Sequence, residues 1–324
     1  MQEEDIRPKK ILDEHLRLCK KDIDRLFQNC ETVVVDCPVC EAKPEFWFEK
    51  DHFSYVRCPI CLTFFVSPRP KEKYFYDFYR SGEAIQFFSS HFYAQTEIAR
   101  REKIWKPKIK MIQDILQKYK AQDATIIDIG GGFGTFSELY EETTARSTLI
   151  IEPSPDLAKN CRQKKLNVIE EFLENVSRED LVSGLKCFVS FEILEHVFDP
   201  VQFLKKIYDL MDADDFFIFT TLNGLGVDIA ELGLFSKAVS PPHHVNFFNI
   251  KSIEVLLKKI GFKVISIKTP GKLDLNILKN NLSQCREGFF KNFLKTSTEE
   301  EIDNFQHAIE VYRLSSHMMI AGRK

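Results

Sequence analysis

The chain has 324 residues, with 45 Lys and Arg against 48 Asp and Glu, a net charge of −3, and 44% apolar residues. At roughly 150 residues per domain this suggests about two domains, each large enough to bury a core. The ordinary apolar fraction and the small net charge exclude disorder as the main state, and they exclude nucleic-acid binding driven by bulk charge.

The first residues, Met1 to Asp5, are acidic with no apolar run behind them. No stretch reaches the roughly 18 apolar residues of a membrane span, so a soluble, cytoplasmic protein without a membrane partner is expected. Leu12, Leu16, Cys19, Ile23 and Leu26 then recur at helical spacing, which predicts an amphipathic helix within residues 1–30. Its apolar stripe suits either a homodimer contact or packing on its own domain.

From residue 31 to 70 the chain changes to short aromatic and β-branched runs, at 45–48, 53–56 and 62–66, which predict a small β-ribbon. Cys37-Pro-Val-Cys40 and Cys58-Pro-Ile-Cys61 bracket it, in the spacing of a four-thiolate zinc site. Each two-residue gap lets a turn aim both sulfurs at one ion. Four protein ligands leave no open position, so the predicted Zn2+ is structural. The chain has nine Cys, an odd number, with these four clustered, which favours reduced thiols over a disulfide framework. Within 31–70 six acids, including Glu41 and Asp51, outnumber the four bases Lys43, Lys50, Arg57 and Arg69, so the ribbon has no electrostatic footprint for phosphates.

Residues 71–120 form an aromatic linker and helical lid: nine aromatic residues lie between Tyr74 and Tyr93, followed by a helical face with Ile109, Ile112 and Leu116. The belt is expected to cement ribbon to catalytic domain, with one or two tyrosines reaching the pocket. Residues 121–324 alternate strands and helices, the pattern of a Rossmann-like α/β sheet. Seven strands are predicted, at about 124–129, 147–152, 166–169, 186–191, 214–221, 262–268 and 315–322, with a helical insert at about 273–313. Asp199-Pro200 opens one helix as N-cap and first-turn proline, and Gly261 closes another.

Asp128-Ile-Gly130-Gly-Gly132-Phe-Gly134 carries the first of these strands into a glycine turn and a helix, where a ligand can approach the backbone. A dinucleotide fingerprint would need a further glycine at Thr135 or Ser137. The second strand ends at Glu152, and a carboxylate there can accept both hydroxyls of an adenosyl ribose.

These residues resemble class I S-adenosylmethionine-dependent methyltransferases over roughly 100–324. The resemblance rests on the Asp128-to-Gly134 loop, on Ile151-Glu152-Pro153-Ser154, on the segment from Phe191-Glu192 through Glu195-His196 to Asp199-Pro200, and on a closing strand of the family's antiparallel kind. It implies S-adenosyl-L-methionine as cofactor, with Asp128 opening the loop, Gly130, Gly132 and Gly134 at the methionine moiety, Glu152 at the ribose, Phe191 near the methionine part, and Glu170 or Glu171 at the adenine. Ribbon, aromatic linker and catalytic domain together are similar to zinc-ribbon methyltransferases of sugar-nucleotide and surface-polysaccharide pathways. Deoxysugar C-methyltransferases of that group carry His-Glu-His-Val where this chain has Pro242-His243-His244-Val245. His244 then matches the catalytic histidine, while His243 replaces the glutamate.

Methyl transfer onto a positioned acceptor needs a base only where the acceptor loses a proton. His244 and His196 are the candidates, with His243 beside them; the alternative for each is a loop cap. The expected enzyme acts on a small polar acceptor, sugar-linked in the leading reading. An RNA methyltransferase with a zinc module and a non-catalytic pathway scaffold are the alternatives. Ser190-Phe191-Glu192-Ile193 stands where many amino-group methylases of nucleic acid have Asn/Asp-Pro-Pro-aromatic.

Overall fold

A computed structural model describes all 324 residues. Two helices open the chain, α1 (Glu3–Ile6) and α2 (Lys9–Leu26). The ribbon region follows with β1 (Thr32–Val33), β2 (Glu45–Lys50), β3 (Phe53–Arg57), β4 (Phe64–Val66) and β5 (Arg69–Pro70). The linker is helical almost throughout: α3 (Glu72–Ser81), α4 (Glu83–Phe87), α5 (Ala94–Arg100) and α6 (Lys106–Lys118), with π-helical turns at Phe88–Tyr93 and Arg101–Trp105.

The main sheet then alternates with helices: β6 (Thr125–Ile129), α7 (Thr135–Thr144), β7 (Thr148–Ile151), α8 (Pro155–Gln163), β8 (Asn167–Ile169), β9 (Lys186–Phe191), α9 (Pro200–Leu210), β10 (Phe216–Leu222) and α10 (Val227–Leu232). After β11 (Asn246–Phe247) come α11 (Ile250–Ile260), β12 (Lys263–Lys268), the insert helices α12 (Asp274–Asn280), α13 (Phe289–Thr296) and α14 (Glu299–Val311), and β13 (His317–Arg323). No helix is long and apolar enough to cross a membrane.

Seven strands pair in the order β12-β13-β10-β9-β6-β7-β8, the methyltransferase-type sheet expected from the sequence. Six run in one direction, and β13 alone is antiparallel, between β10 and β12. Burial on both faces explains the uninterrupted apolar runs: Phe216 to Leu222 are all buried. Asp199 caps α9 by accepting from the Val201 and Gln202 amides, each at 3.0 Å. Gly261, at φ +124, ends α11 in a conformation that glycine supplies without strain. β10 begins at Phe216 and not at 214, because the Asp215 carboxylate is committed to the Lys186 and Asp212 amides and makes a turn there.

β2, β3 and β4 form an antiparallel ribbon whose outer partner is β11, giving a four-stranded sheet in the order β11-β4-β3-β2. Asn246 pairs with Phe65 and Phe247 with Phe64, and the Phe64 and Phe247 rings stack at 4.2 Å. The ribbon therefore shares a sheet with residues just after His243-His244. This pairing joins segments 180 positions apart and had no signal in the sequence.

The apolar face of α2 is buried within the chain. Leu18, Cys19, Ile23 and Phe27 pack with Phe53, Phe75 and Phe78 in one core, so the face read as a possible homodimer contact is covered by this chain's own ribbon and linker. Most of the aromatic belt does the same work, while Tyr79 and Tyr93 reach the site described next.

Candidate active site

The glycine loop leaves β6 at its carboxyl end. Gly130 has φ +67, and a Cβ there would collide with the Ile193 side chain, so only glycine fits. Gly132 has φ +56 and its Cβ position looks into open space, which leaves backbone accessible to a ligand. Gly134 ends the turn and starts α7. The Phe133 ring stacks on Tyr93 at 4.3 Å, so the linker lies over the loop.

Glu152 is buried beside this turn. Its Oε2 accepts from the Gly132 amide and its Oε1 from the Ser154 amide, both at 2.9 Å. Burial raises its pKa, and the two amides oppose the shift. Asp128 lies below the loop, where Ser137 Oγ donates to it at 2.9 Å; burial pushes its carboxyl up to about 7. An open Gly132 backbone thus lies next to a buried carboxylate at the carboxyl edge of the sheet. Glu170 and Glu171 are exposed beyond β8. Glu170 pairs with Arg162 at 2.7 Å and Glu171 accepts from Asn175 at 2.9 Å, so neither faces the loop as a free acceptor. Phe191 packs on Phe136 at 4.7 Å and under Lys108, whose Nζ lies 4.5 Å from its ring.

A second cluster gathers at the carboxyl ends of β9 and β10 and the start of β13. Glu192 sits at φ +56, an uncommon backbone conformation for a non-glycine residue that turns its carboxylate into the cleft. Thr220 Oγ1 donates to it at 2.6 Å, Lys108 Nζ lies 3.7 Å away and His317 Nδ1 3.4 Å away. Burial works against the Glu192 charge, but His317 and Lys108 overcome it and hold its pKa low. Lys108 is buried, and burial lowers its own pKa. It stands in the apolar stripe of α6, with Ile112 at i+4 and Leu116 at i+8 from it, and a lysine on that stripe was a legible anomaly. Thr220 and His317 carried no such signal.

The histidines adjoin this cluster. Ligand atoms of Glu195, His196 and His244 lie within 4.8 Å of one another, and the His196 and His244 rings are 4.7 Å apart. Ala238 offers only a carbonyl, 2.6 Å from His244 Nδ1, so that nitrogen carries the proton and Nε2 keeps its lone pair. Burial, and for His196 the neighbouring His244, lower both pKa values, to about 3 and about 4 respectively, so both rings are neutral at pH 7. Tyr79 Oη hydrogen-bonds His196 Nδ1 at 3.0 Å. Glu195 accepts from Thr221 Oγ1 at 2.8 Å, and burial with the nearby Glu192 charge raises its pKa well above the usual carboxylate range. The His243 ring lies between α2 and these histidines, 5.3 Å from His15 and 6.0 Å from His196. It is not grouped with Glu195, His196 and His244.

The ribbon holds this loop. Tyr55, fully buried on β3, donates its hydroxyl to the His244 carbonyl at 2.8 Å. Buried Arg69 donates to Asn246 Oδ1 at 2.7 Å, and Asn249 Nδ2 donates to the Cys61 carbonyl at 2.8 Å. At the ribbon's tip the four cysteine sulfurs converge: Cys37 to Cys61 and Cys40 to Cys58 are each 3.4 Å apart, and Cys40 to Cys61 is 4.0 Å. A zinc tetrahedron with bonds of about 2.3 Å has edges of about 3.8 Å, so the four thiols fit that ion.

A family model described as "Methyltransferase domain" matches residues 99–267. No curated protein matches the chain. Among solved structures, a SAM-dependent methyltransferase from Archaeoglobus fulgidus is 17% identical, with 67% of this chain and 94% of that chain covered and a TM-score of 0.43. A SAM-dependent methyltransferase from Thermotoga maritima, described as a possible histamine N-methyltransferase, is 18% identical over 73% of this chain and 98% of that chain, with a TM-score of 0.46. A phosphoethanolamine N-methyltransferase from Haemonchus contortus is 15% identical over 79% and 61% of the two chains, with a TM-score of 0.49.

Proposed function

We propose, from the premise that this chain belongs to the methyltransferase-domain family and is an S-adenosylmethionine-dependent enzyme, that its acceptor is a small polar metabolite. The class favoured is a sugar or nucleotide-linked sugar of a surface-polysaccharide or secondary-metabolite pathway. The observation that carries this reading is the polar wall beside the glycine loop: Glu192, Thr220, Lys108 and His317, flanked by neutral His244 and His196. A hydroxylated acceptor can be held there by several hydrogen bonds at once.

The cofactor, when bound, supplies an electrophilic methyl group. Gly130, Gly132, Gly134 and Glu152 would hold it, with Asp128 supporting the loop from below through Ser137. The ionised Glu192 carboxylate and the Lys108 amine orient the acceptor through hydrogen bonds to its hydroxyls. His244 Nε2 receives the proton that the acceptor gives up, and the Ala238 carbonyl stabilises the resulting imidazolium through Nδ1–H. His196 is the second candidate, held by Tyr79. The ribbon's Cys37, Cys40, Cys58 and Cys61 would bind a structural zinc, and Tyr55 conveys the ribbon's rigidity to the His244 loop.

Purified enzyme supplied with methyl-labelled donor and a panel of nucleotide sugars tests the acceptor class. Label should enter a nucleotide sugar, and NMR of the product assigns the methylated atom. Incorporation into RNA or a non-sugar metabolite, with none into any nucleotide sugar, would overturn it.

A further inference from the structure

One buried cluster has no part in the proposed methyl transfer. His15 and Cys19 lie at i and i+4 on α2, so their side chains share a face one turn apart. His243 reaches them from the loop before β11. Each of the three offers a ligand atom, and these atoms lie within 4.8 Å of one another. Cys19 Sγ is 3.6 Å from His15 Nε2. The S-to-N edge of a zinc tetrahedron is also about 3.6 Å, from bonds of about 2.3 and about 2.05 Å.

The three residues are only 8%, 2% and 9% exposed for His15, Cys19 and His243, and His243 Nε2 is buried with no hydrogen-bond partner. An orphaned nitrogen in such a position calls for a ligand. Phe88 and Phe92 pack around His15, at 5.5 and 6.1 Å, and Phe78 packs on His243 at 4.9 Å, which makes the surroundings dry. Burial lowers the pKa of both imidazoles and keeps them in the neutral, metal-binding form. Burial, with the Asp22 charge further along the same helix, pushes the Cys19 thiol up to about 12, so it stays protonated until an ion displaces the proton.

We propose that His15, Cys19 and His243 form a second metal site, separate from the four-cysteine cluster, for a divalent ion of the zinc class bound by one thiolate and two imidazoles. Binding expels the Cys19 thiol proton to solvent, and three protein ligands leave a fourth coordination position for water or another donor. The ion would pin α2 to the loop that carries His244. This site does not depend on the identity of the methyl acceptor.

The test counts metal in the full chain after zinc saturation and gel filtration. Wild type should hold one more zinc per chain than Cys19→Ala or His15→Ala, whereas Cys285→Ala, which removes a buried thiol elsewhere, should leave the count unchanged. Equal counts in wild type and both site variants overturn the proposal, whatever the occupancy of the ribbon. If either variant fails to fold, cobalt titration of the wild type decides. A component with the weak charge-transfer band of a single thiolate is expected, and a titration that ends without one overturns the site.

Discussion

The cofactor side of the site comes from one run of chain, residues 128 to 154, in which a strand, a glycine turn, a helix and a second strand put Gly132 and Glu152 in contact. The acceptor side draws on Tyr55, Tyr79, Lys108, Glu192, Glu195, Thr220, His244 and His317, contributed by the ribbon, the linker, the sheet and the last strand. On the first side the backbone does most of the work, and its conformation is written into glycines, the residue type that adopts positive φ with least strain. On the second, ordinary side chains acquire their chemistry from burial and from neighbours far away in sequence. A change on one side should therefore leave the other largely intact.

The largest effect should follow Gly132→Arg. A side chain at φ +56 is strained, and an arginine would fill the space the cofactor needs, so isothermal titration should show binding of S-adenosylhomocysteine weakened at least about 100-fold. Metal content should not change. The converse break is His244→Gln: kcat should fall by roughly 10²–10⁴ with cofactor Kd within about twofold of wild type. A matching loss of cofactor affinity would show that the two sides are coupled.

A smaller effect sharpens the cofactor side alone. The folded-state pKa of Asp128 is raised by burial from 3.8 to about 7, so the folded protein retains a proton that the unfolded chain releases. The stability this provides is complete below about pH 4 and is lost as pH rises to about 7. Asp128→Asn, which keeps an acceptor for Ser137, should therefore be more stable than wild type near neutrality. The gap in unfolding free energy should widen between pH 4 and 7 to roughly 2–4 kcal/mol and stay level above that. A gap independent of pH would refute an uncharged Asp128.

Tyr55→Phe gives the smallest change and asks how far the ribbon reaches. It removes one buried hydrogen bond to the His244 carbonyl, at a cost of about 1 kcal/mol in stability. If the ribbon positions His244, kcat should drop by about three- to tenfold while cofactor affinity holds. An unchanged kcat would leave the ribbon with no role in aligning that loop.

The same contrast explains what could be read in advance. The sheet was legible because its central strands are buried on both faces and read as largely apolar runs, and the glycine loop because three residues at positive φ so close together favour glycine. The cysteine cluster was legible because metal geometry fixes ligand spacing. His196 and His244 were identifiable as candidate bases, but the approach of the His243 ring to His15 as well as to His196 was not, since adjacent residues in a loop carry no rule for which way each faces. Glu170 and Glu171, the acids that follow β8, bond Arg162 and Asn175, local pairings that motif spacing does not reveal. Lys108 could have been found as a charge inside an apolar stripe.

The pairing of β4 with β11 has a consequence for how the protein is made. Phe64 and Phe65 are synthesised long before Asn246 and Phe247, so during translation the ribbon emerges with an unsatisfied, phenylalanine-rich edge. Its sheet closes only after most of the main sheet's strands have been translated, which makes this a contact of high sequence separation and slow to form.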